Sequence, residues 1–298
     1  MKRILPILIA VLVVLTLASC KMEFDSKGKA CIISVGIGYG WAGGPPVLEG
    51  CVDDALEMGL CLTKQIKNQG VEVDTRYLIC RGADPDEQSM YYPSPTHLIN
   101  MINSLQLEKE DLLVFYYSGH GVAEDAPALA LPPEEEGGYY SPLDMKELYK
   151  ILQAKGCQTV VLMDCCFSGG TSVDEVSGSF TSGLESVFKD TWSPSTAVIA
   201  ACKADEESTV AWVPTAEGGK QKHGYLTIGL LENMGWVHSD ARTETVPSGS
   251  QSYKVKGYVR DYITDLTVSE LQKAVGDYWA ANYTMTCNEV RNEIRLIP

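Results

Sequence analysis

Positive charge is scarce in this chain. Lys and Arg number 24 against 39 Asp and Glu, a formal net charge of −15. That balance argues against a nucleic-acid partner, whose binding draws on clustered cations that displace counterions. Histidine is scarcer still, with four in 298 residues. No two of the ten cysteines stand in C-x-x-C spacing, so the mark of a structural zinc site is missing. Their scatter through apolar segments is unlike a compact disulfide framework, and most read as small buried hydrophobes. With Cys20 set aside nine remain, an odd number that leaves at least one thiol unpaired within a monomer. There is no internal repeat, and no linker divides residues 30–298. Neither Ser118 nor Ser168 lies in a G-x-S-x-G elbow, which speaks against a serine hydrolase.

What is present begins with a leader. Lys2 and Arg3 precede an apolar stretch over residues 4–17, the pattern of a secretory signal peptide, too short for a comfortable membrane span. Leu17-Ala18-Ser19-Cys20 resembles a bacterial lipobox, in which cleavage precedes a cysteine that then carries lipid. An ordinary secretory signal or an uncleaved anchor helix are the alternatives. The lipobox reading gives a signal peptide over 1–19, a lipidated tether over 20–29 and one domain over 30–298. It predicts an extracytoplasmic, membrane-anchored lipoprotein held by Cys20.

Beyond the tether, apolar runs alternate with helical periodicity. "KACIISVGIG", "DLLVFYY", "QTVVLM" and "STAVIAA" read as strands, the last three continuous enough to be buried on both faces. "VEVDTRYLIC" alternates and suggests a strand nearer a sheet edge. Ala55, Met58, Leu62 and Ile66 fall on one face of a helix over 51–69, with Gly70 as its stop signal. Ser94-Pro95, Asp144 with Glu147, and Thr267 with Glu270 read as helix starts. The pattern predicts an α/β fold, a three-layer sandwich around a mostly parallel sheet. Residues 123–142 and 238–252 read as exposed loops.

In open parallel sheets, ligands gather beyond the carboxyl ends of the strands. Two apolar strands end in polar residues among glycines: "LLVFYYSGHG" delivers His120, and "VVLMDCCFSGG" delivers Asp164, Cys165 and Cys166. If the strands are neighbours, an imidazole and a thiol share the rim. An imidazole lowers a thiol's pKa or takes its proton, and nearby backbone N–H groups stabilise an oxyanion, which points to cysteine-dependent acyl transfer. A metal site built on His120 and Cys166 lacks two further ligands, so no metal is assigned there.

"YYSGHG" followed by "DCCFSGG" resembles the caspase-like cysteine peptidases, specifically the metacaspase branch. "GCVDDALEM", "AACKADEES" and "HGYLTIGLLENM" resemble further segments of that family. The resemblance implies a caspase-like sandwich with Cys166 as nucleophile, His120 as general acid and Cys165 as a bystander. It implies an oxyanion hole from the backbone N–H groups of Gly121 and Cys166, and a substrate pocket at Cys51, Asp54, Ser118 and Asp164. Two carboxylates at the rim, partly shielded from water, favour Arg or Lys in a peptide or protein substrate. The resemblance also implies self-cleavage after a basic residue, with Lys220, Lys222, Lys189 and Lys203 as candidates. No organic cofactor is expected. Calcium, which many family members need, has only Asp144 and Asp174 near the expected positions. The rival reading is a non-catalytic lipoprotein using the fold for peptide binding or scaffolding. A third is a related Arg- or Lys-specific peptidase branch.

Overall fold

The computed structural model describes residues 28–82, 90–123, 127–135, 137–167, 193, 195–201, 210–279, 286–287 and 294–297. Five parallel strands build the core sheet: β1 (Ala30–Ile37), β2 (Val73–Cys80), β3 (Leu112–Ala123), β6 (Gln158–Phe167) and β7 (Thr196–Ala200). Their spatial order is β7-β6-β3-β1-β2, so the alternating segment "VEVDTRYLIC" supplies an edge strand as its pattern predicts. β13 (Thr286–Cys287) adds antiparallel to β7. β4 (Pro127–Leu131) and β5 (Ser141–Asp144) extend the sheet antiparallel from the end of β3.

The apolar runs are continuous because each strand feeds two cores, one per face of the sheet. Ile32, Val114, Tyr116, Val160 and Leu162 face one side, packed with α1 (Cys51–Asn68), α4 (Tyr225–Asn233) and α5 (Val268–Trp279). Ile33, Phe115, Tyr117, Val161, Met163 and Cys165 face the other, packed with α2 (Pro95–Ser104) and α3 (Met145–Gln153). This is the mostly parallel α/β sandwich expected from the sequence.

The helix starts follow the local signals. Ser94 Oγ accepts from His97 N at 3.3 Å, and Asp144 Oδ1 accepts from Glu147 N at 2.9 Å. Thr267 and Glu270 bond reciprocally, each side chain accepting from the other's backbone N–H, the two-way arrangement of a capping box. Cys31, Cys51, Cys61, Cys80, Cys157 and Cys165 are all buried, in keeping with their reading as small hydrophobes.

Both segments read as exposed loops depart from that expectation. Within 123–142, β4 is a strand with Ala128 to Leu131 buried. Alanine and leucine are weak strand formers, and pairing with β3 outweighs their propensity. Residues 238–252 belong mostly to a hairpin of β10 (Trp236–Ser248) and β11 (Gln251–Val259). Its middle stands in solvent, with Asp240 to Arg242 exposed, so the apolar alternation that announces a strand is missing there. "EGGKQKHG", which holds the self-cleavage candidates Lys220 and Lys222, contains β9 (Lys220–Gly224), paired with β8 (Val210–Pro214). β12 (Leu266–Thr267) and β14 (Arg295–Ile297) pair near the start of α5.

β1 and α1 approach closely enough to leave no room for a side chain between them. A Cβ at Gly36 would stand 2.7 Å from both the Cys51 carbonyl oxygen and the Ala55 Cβ, while Ser34 Oγ donates to Ala55 O at 2.6 Å. This contact seats the first turn of α1, and Asp54 with it, against the sheet's centre. Gly36→Ala is expected to destabilise the fold by about 1–3 kcal/mol through overpacking, read as a lower denaturation midpoint at unchanged slope.

Candidate active site

β3 and β6 run in unbroken parallel register from Leu112↔Gln158 to Gly121↔Phe167, which brings His120 opposite Cys166. Neighbouring strands lie about 4.8 Å apart, so the two residues are adjacent at the carboxyl edge of the sheet's central pair. Cys165, one position earlier, lies in the core with Val161 and Met163.

The backbone of His120 is gripped on both sides. Its N–H donates to Tyr39 Oη at 2.6 Å, and its carbonyl accepts from Tyr117 Oη at 2.8 Å. Tyr39 in turn donates to Ala130 O at 2.8 Å, so the strand β4 missed in the sequence anchors the histidine. Tyr39 has φ of 57°, a left-handed conformation that costs a bulky residue energy and clusters at functional sites. The imidazole packs on the Tyr39 ring at 4.3 Å between centroids. Its Nε2 lies 3.0 Å from Pro46 O, and a carbonyl can only accept. The proton is therefore on Nε2 and the lone pair on Nδ1. Neither Tyr39 nor Pro46 stood out in the sequence; the only trace of strain there is the glycine-rich context "GIGYGWAGG".

The four residues assigned to the substrate pocket also meet. Ser118 is in register with Gly36 on one side and Asp164 on the other, and Ser118 Oγ donates to Asp54 Oδ2 at 3.0 Å. Cys51 opens α1, one turn before Asp54. The carboxylates were expected at the rim and partly shielded; instead Asp54 and Asp164 are each 1 % exposed. The cover is the start of α4. Gly224 N donates to Asp54 Oδ2 at 3.2 Å, while Thr227 gives Asp164 Oδ2 both its N–H at 2.9 Å and its hydroxyl at 2.7 Å. α4 has no cap from its own N-cap side chain, so a carboxylate from a distant strand caps it, favoured by the positive end of the helix dipole. Only glycine fits at 224, where a Cβ would fall 2.3 Å from Asp164 Oδ2.

His223, next to that glycine, is fully buried, and its Nδ1 lies 2.8 Å from Asp54 Oδ1. Burial holds its pKa below the ordinary histidine value. Burial also pushes the Asp54 carboxyl well above its usual range, against the opposing pull of Gly224 and Ser118. Asp164 rises to about 7, through burial first and the nearby Asp54 charge second. Among the described residues its Oδ1 has no hydrogen-bond partner. His223, Gly224 and Thr227 all sit in "HGYLT", whose histidine and threonine carried no role in the sequence reading.

Asp144, one of the two calcium candidates, is the N-cap of α3. Asp174, Lys189, Lys203 and Cys20 lie outside the described residues, as do the side chains of Cys166 and Phe167.

Residues 29–175 match the model of the metacaspase, peptidase C14 domain. This stretch thus carries the likeness to caspase-like proteins of metacaspase type. Metacaspase-1 of Meyerozyma guilliermondii is 28 % identical over 167 residues, 50 % of this chain and 37 % of that protein. Metacaspase-8 of Arabidopsis thaliana is 28 % identical over 156 residues, 45 % of this chain and 36 % of that protein. The chain thus spans little more than a third of the length of the curated relatives it matches. A crystal structure of a Geobacter sulfurreducens protein superposes with a TM-score of 0.52 at 15 % identity, covering 87 % of this chain and 92 % of that one, a likeness of fold.

The raised Asp164 value has a defined consequence for stability. A carboxyl whose folded pKa exceeds its unfolded value of about 3.9 holds its proton longer in the native state. The associated stability is complete at low pH, declines between about pH 4 and 7, and is level above that. Asp164→Asn is expected to flatten this segment of a melting-temperature series; an unchanged slope would assign the decline to other groups.

Proposed function

We propose that this metacaspase-type protein is a cysteine endopeptidase that cleaves after Arg or Lys with a Cys166–His120 dyad. The supporting observation is the register that sets His120 opposite Cys166 on the central strand pair. In this reading the Cys166 thiolate attacks the scissile carbonyl and the backbone N–H groups of Gly121 and Cys166 stabilise the tetrahedral oxyanion. His120 then protonates the leaving amine. Its Nε2–H, held on Pro46 O, keeps the ring from turning, so Nδ1 is the nitrogen that exchanges the proton with sulfur and substrate. No organic cofactor enters the reaction. With Asp144 capping α3, a calcium site of the expected kind would need other donors.

The basic side chain of the substrate is directed to Cys51, Asp54, Ser118 and Asp164. Asp164 Oδ1, without a hydrogen-bond partner among the described residues, supplies an acceptor for a guanidinium or ammonium. Because Gly224 and His223 close over both carboxylates, substrate entry requires this segment to shift. Self-cleavage follows the same preference. Lys220, exposed on β9, is the more accessible of the two described candidates, since Lys222 bonds Glu49 at 2.7 Å.

Fluorogenic peptides ending in Arg, Lys or Asp test the chemistry with the full chain. Hydrolysis is expected after Arg and Lys, and Cys166→Ala is expected to lower kcat by about four orders of magnitude. Asp164→Asn is expected to lower kcat/KM for the basic peptides by about 10- to 100-fold, the loss of one charge-assisted pair. A preference for Asp peptides would overturn the acidic pocket.

We further propose the organisation read from the leader: a signal peptide over 1–19, a tether over 20–29 and a domain over 30–298, anchored outside the cytoplasm through lipid on Cys20. Among the described residues no helix is long and apolar enough to cross a membrane. The backbone N–H of Lys29, the last residue of that tether, donates to Asp111 Oδ1 at 2.8 Å, which supports a domain beginning directly after it. Cys20→Ala is expected to move the protein from the membrane pellet to the soluble fraction; continued pelleting would refute lipid anchoring at that residue.

A further inference from the structure

Behind the carboxylate pair lies a second group of chemistry-bearing side chains that the peptidase reading leaves unused. Glu57 from α1, His223 from β9 and His238 from β10 converge with all three buried. One ligand atom from each lies within 4.8 Å of the others. His223 Nε2 is 3.8 Å from Glu57 Oε1, and His238 Nδ1 is 2.9 Å from Glu57 Oε2. Two imidazoles and one carboxylate are the donor set that zinc-class ions accept, with nitrogen or oxygen ligands about 2.0–2.2 Å from the metal. Such ligands stand roughly 3.3 Å from one another around a tetrahedral ion, close to the spacing found. Calcium and magnesium prefer all-oxygen shells.

Three further observations point to a cation. His223 Nδ1 lies 2.8 Å from Asp54 Oδ1; donating there, the ring turns its Nε2 lone pair toward Glu57, whereas the metal-free ring can instead donate from Nε2 to Gln221 Oε1 at 3.4 Å. In the first state Asp54 is the outer carboxylate by which metal-binding histidines are oriented. Second, although His238 Nδ1 stands so near Glu57, neither of its ring nitrogens is in hydrogen-bond geometry with any described group. A buried imidazole without such partners is costly unless something else occupies its lone pair. Third, Trp236 Nε1 donates to Glu57 Oε2 at 2.7 Å, a second outer contact that fixes a ligand. Access exists as well: Glu57 and Gln221 line a cavity of about 550 Å³.

We infer that Glu57, His223 and His238 form a binding site for one divalent transition-metal ion of the zinc class. Because His223 also holds Asp54, an ion here would tie the cover of the carboxylate pair to α1. The assignment does not depend on the peptidase reading.

The test uses the full chain carrying Cys166→Ala, which removes the rim thiol as a competing ligand, stripped with a chelator and titrated with Co²⁺. A single equivalent is expected to bind with visible d–d absorption and without thiolate-to-cobalt charge transfer. Zn²⁺ should displace it and raise the melting temperature. Glu57→Gln and His238→Gln, with folding checked by circular dichroism, are each expected to abolish the visible bands. Asp54→Asn is expected to weaken binding about 10- to 100-fold, as loss of an outer partner does. No saturable binding, a charge-transfer band from cysteine ligation, or full binding by folded Glu57→Gln and His238→Gln variants would overturn the site. The spectrum of the parent chain decides between ligand types even if both variants fail to fold. Metal binding by this chain, together with no peptide hydrolysis by the chain that keeps Cys166, would sustain this inference and refute the peptidase.

Discussion

The molecule is organised around the uninterrupted parallel pairing of β3 with β6, ten residue pairs from Leu112↔Gln158 to Gly121↔Phe167. A one-residue slip in a parallel ladder turns every side chain to the opposite face. Here both faces are buried, so a slip would place Tyr116 and Tyr117 in the wrong cores at once. The apolar stretch of each strand therefore fixes where its polar end emerges. His120 and Cys166 become neighbours because about eight residues before each of them have nowhere else to go.

A second constraint acts across the sheet edge. Asp54 and Asp164 come from a helix and a strand far apart in sequence, and both end at the start of α4. Two carboxylates this buried and this close lose hydration and, to a lesser degree, oppose each other, which is why Asp164 rises to about 7. The N-terminal amides of α4 offset part of that cost. The same donors that make the pair tolerable also cover it, so stability and access at this place are set against one another. His223 extends the arrangement inward to Glu57 and His238.

Much of the fold was legible because it rests on local patterns. Apolar runs marked the central strands, and side chains such as Ser94, Thr267 and Glu270 marked helix starts by hydrogen bonds within four residues. The elements that escaped, β4 and the β10–β11 hairpin, are those whose strands are defined by partners rather than composition. Ala128 and Leu129 show no strand preference until β3 lies beside them, and Asp240 to Arg242 sit in a ribbon that faces water. The same distinction separates the site residues. His120 and Cys166 stand out as polar residues among glycines at the ends of apolar strands. Tyr39 and Pro46 act on His120 from about 80 residues away through one hydroxyl and one carbonyl, and no spacing rule reaches that far.

By itself the sequence determined the class of fold, the order of the central elements and the identities of an imidazole and a thiol at strand ends. These follow from periodicity and short-range bonding, which depend on neighbours along the chain. Tertiary structure alone decided the tautomer of His120, the enclosure of Asp54 and Asp164, and the meeting of Glu57 with His223 and His238. Each of these depends on which groups exclude water from one another. That is a property of surfaces brought together from distant segments, and no single segment records it.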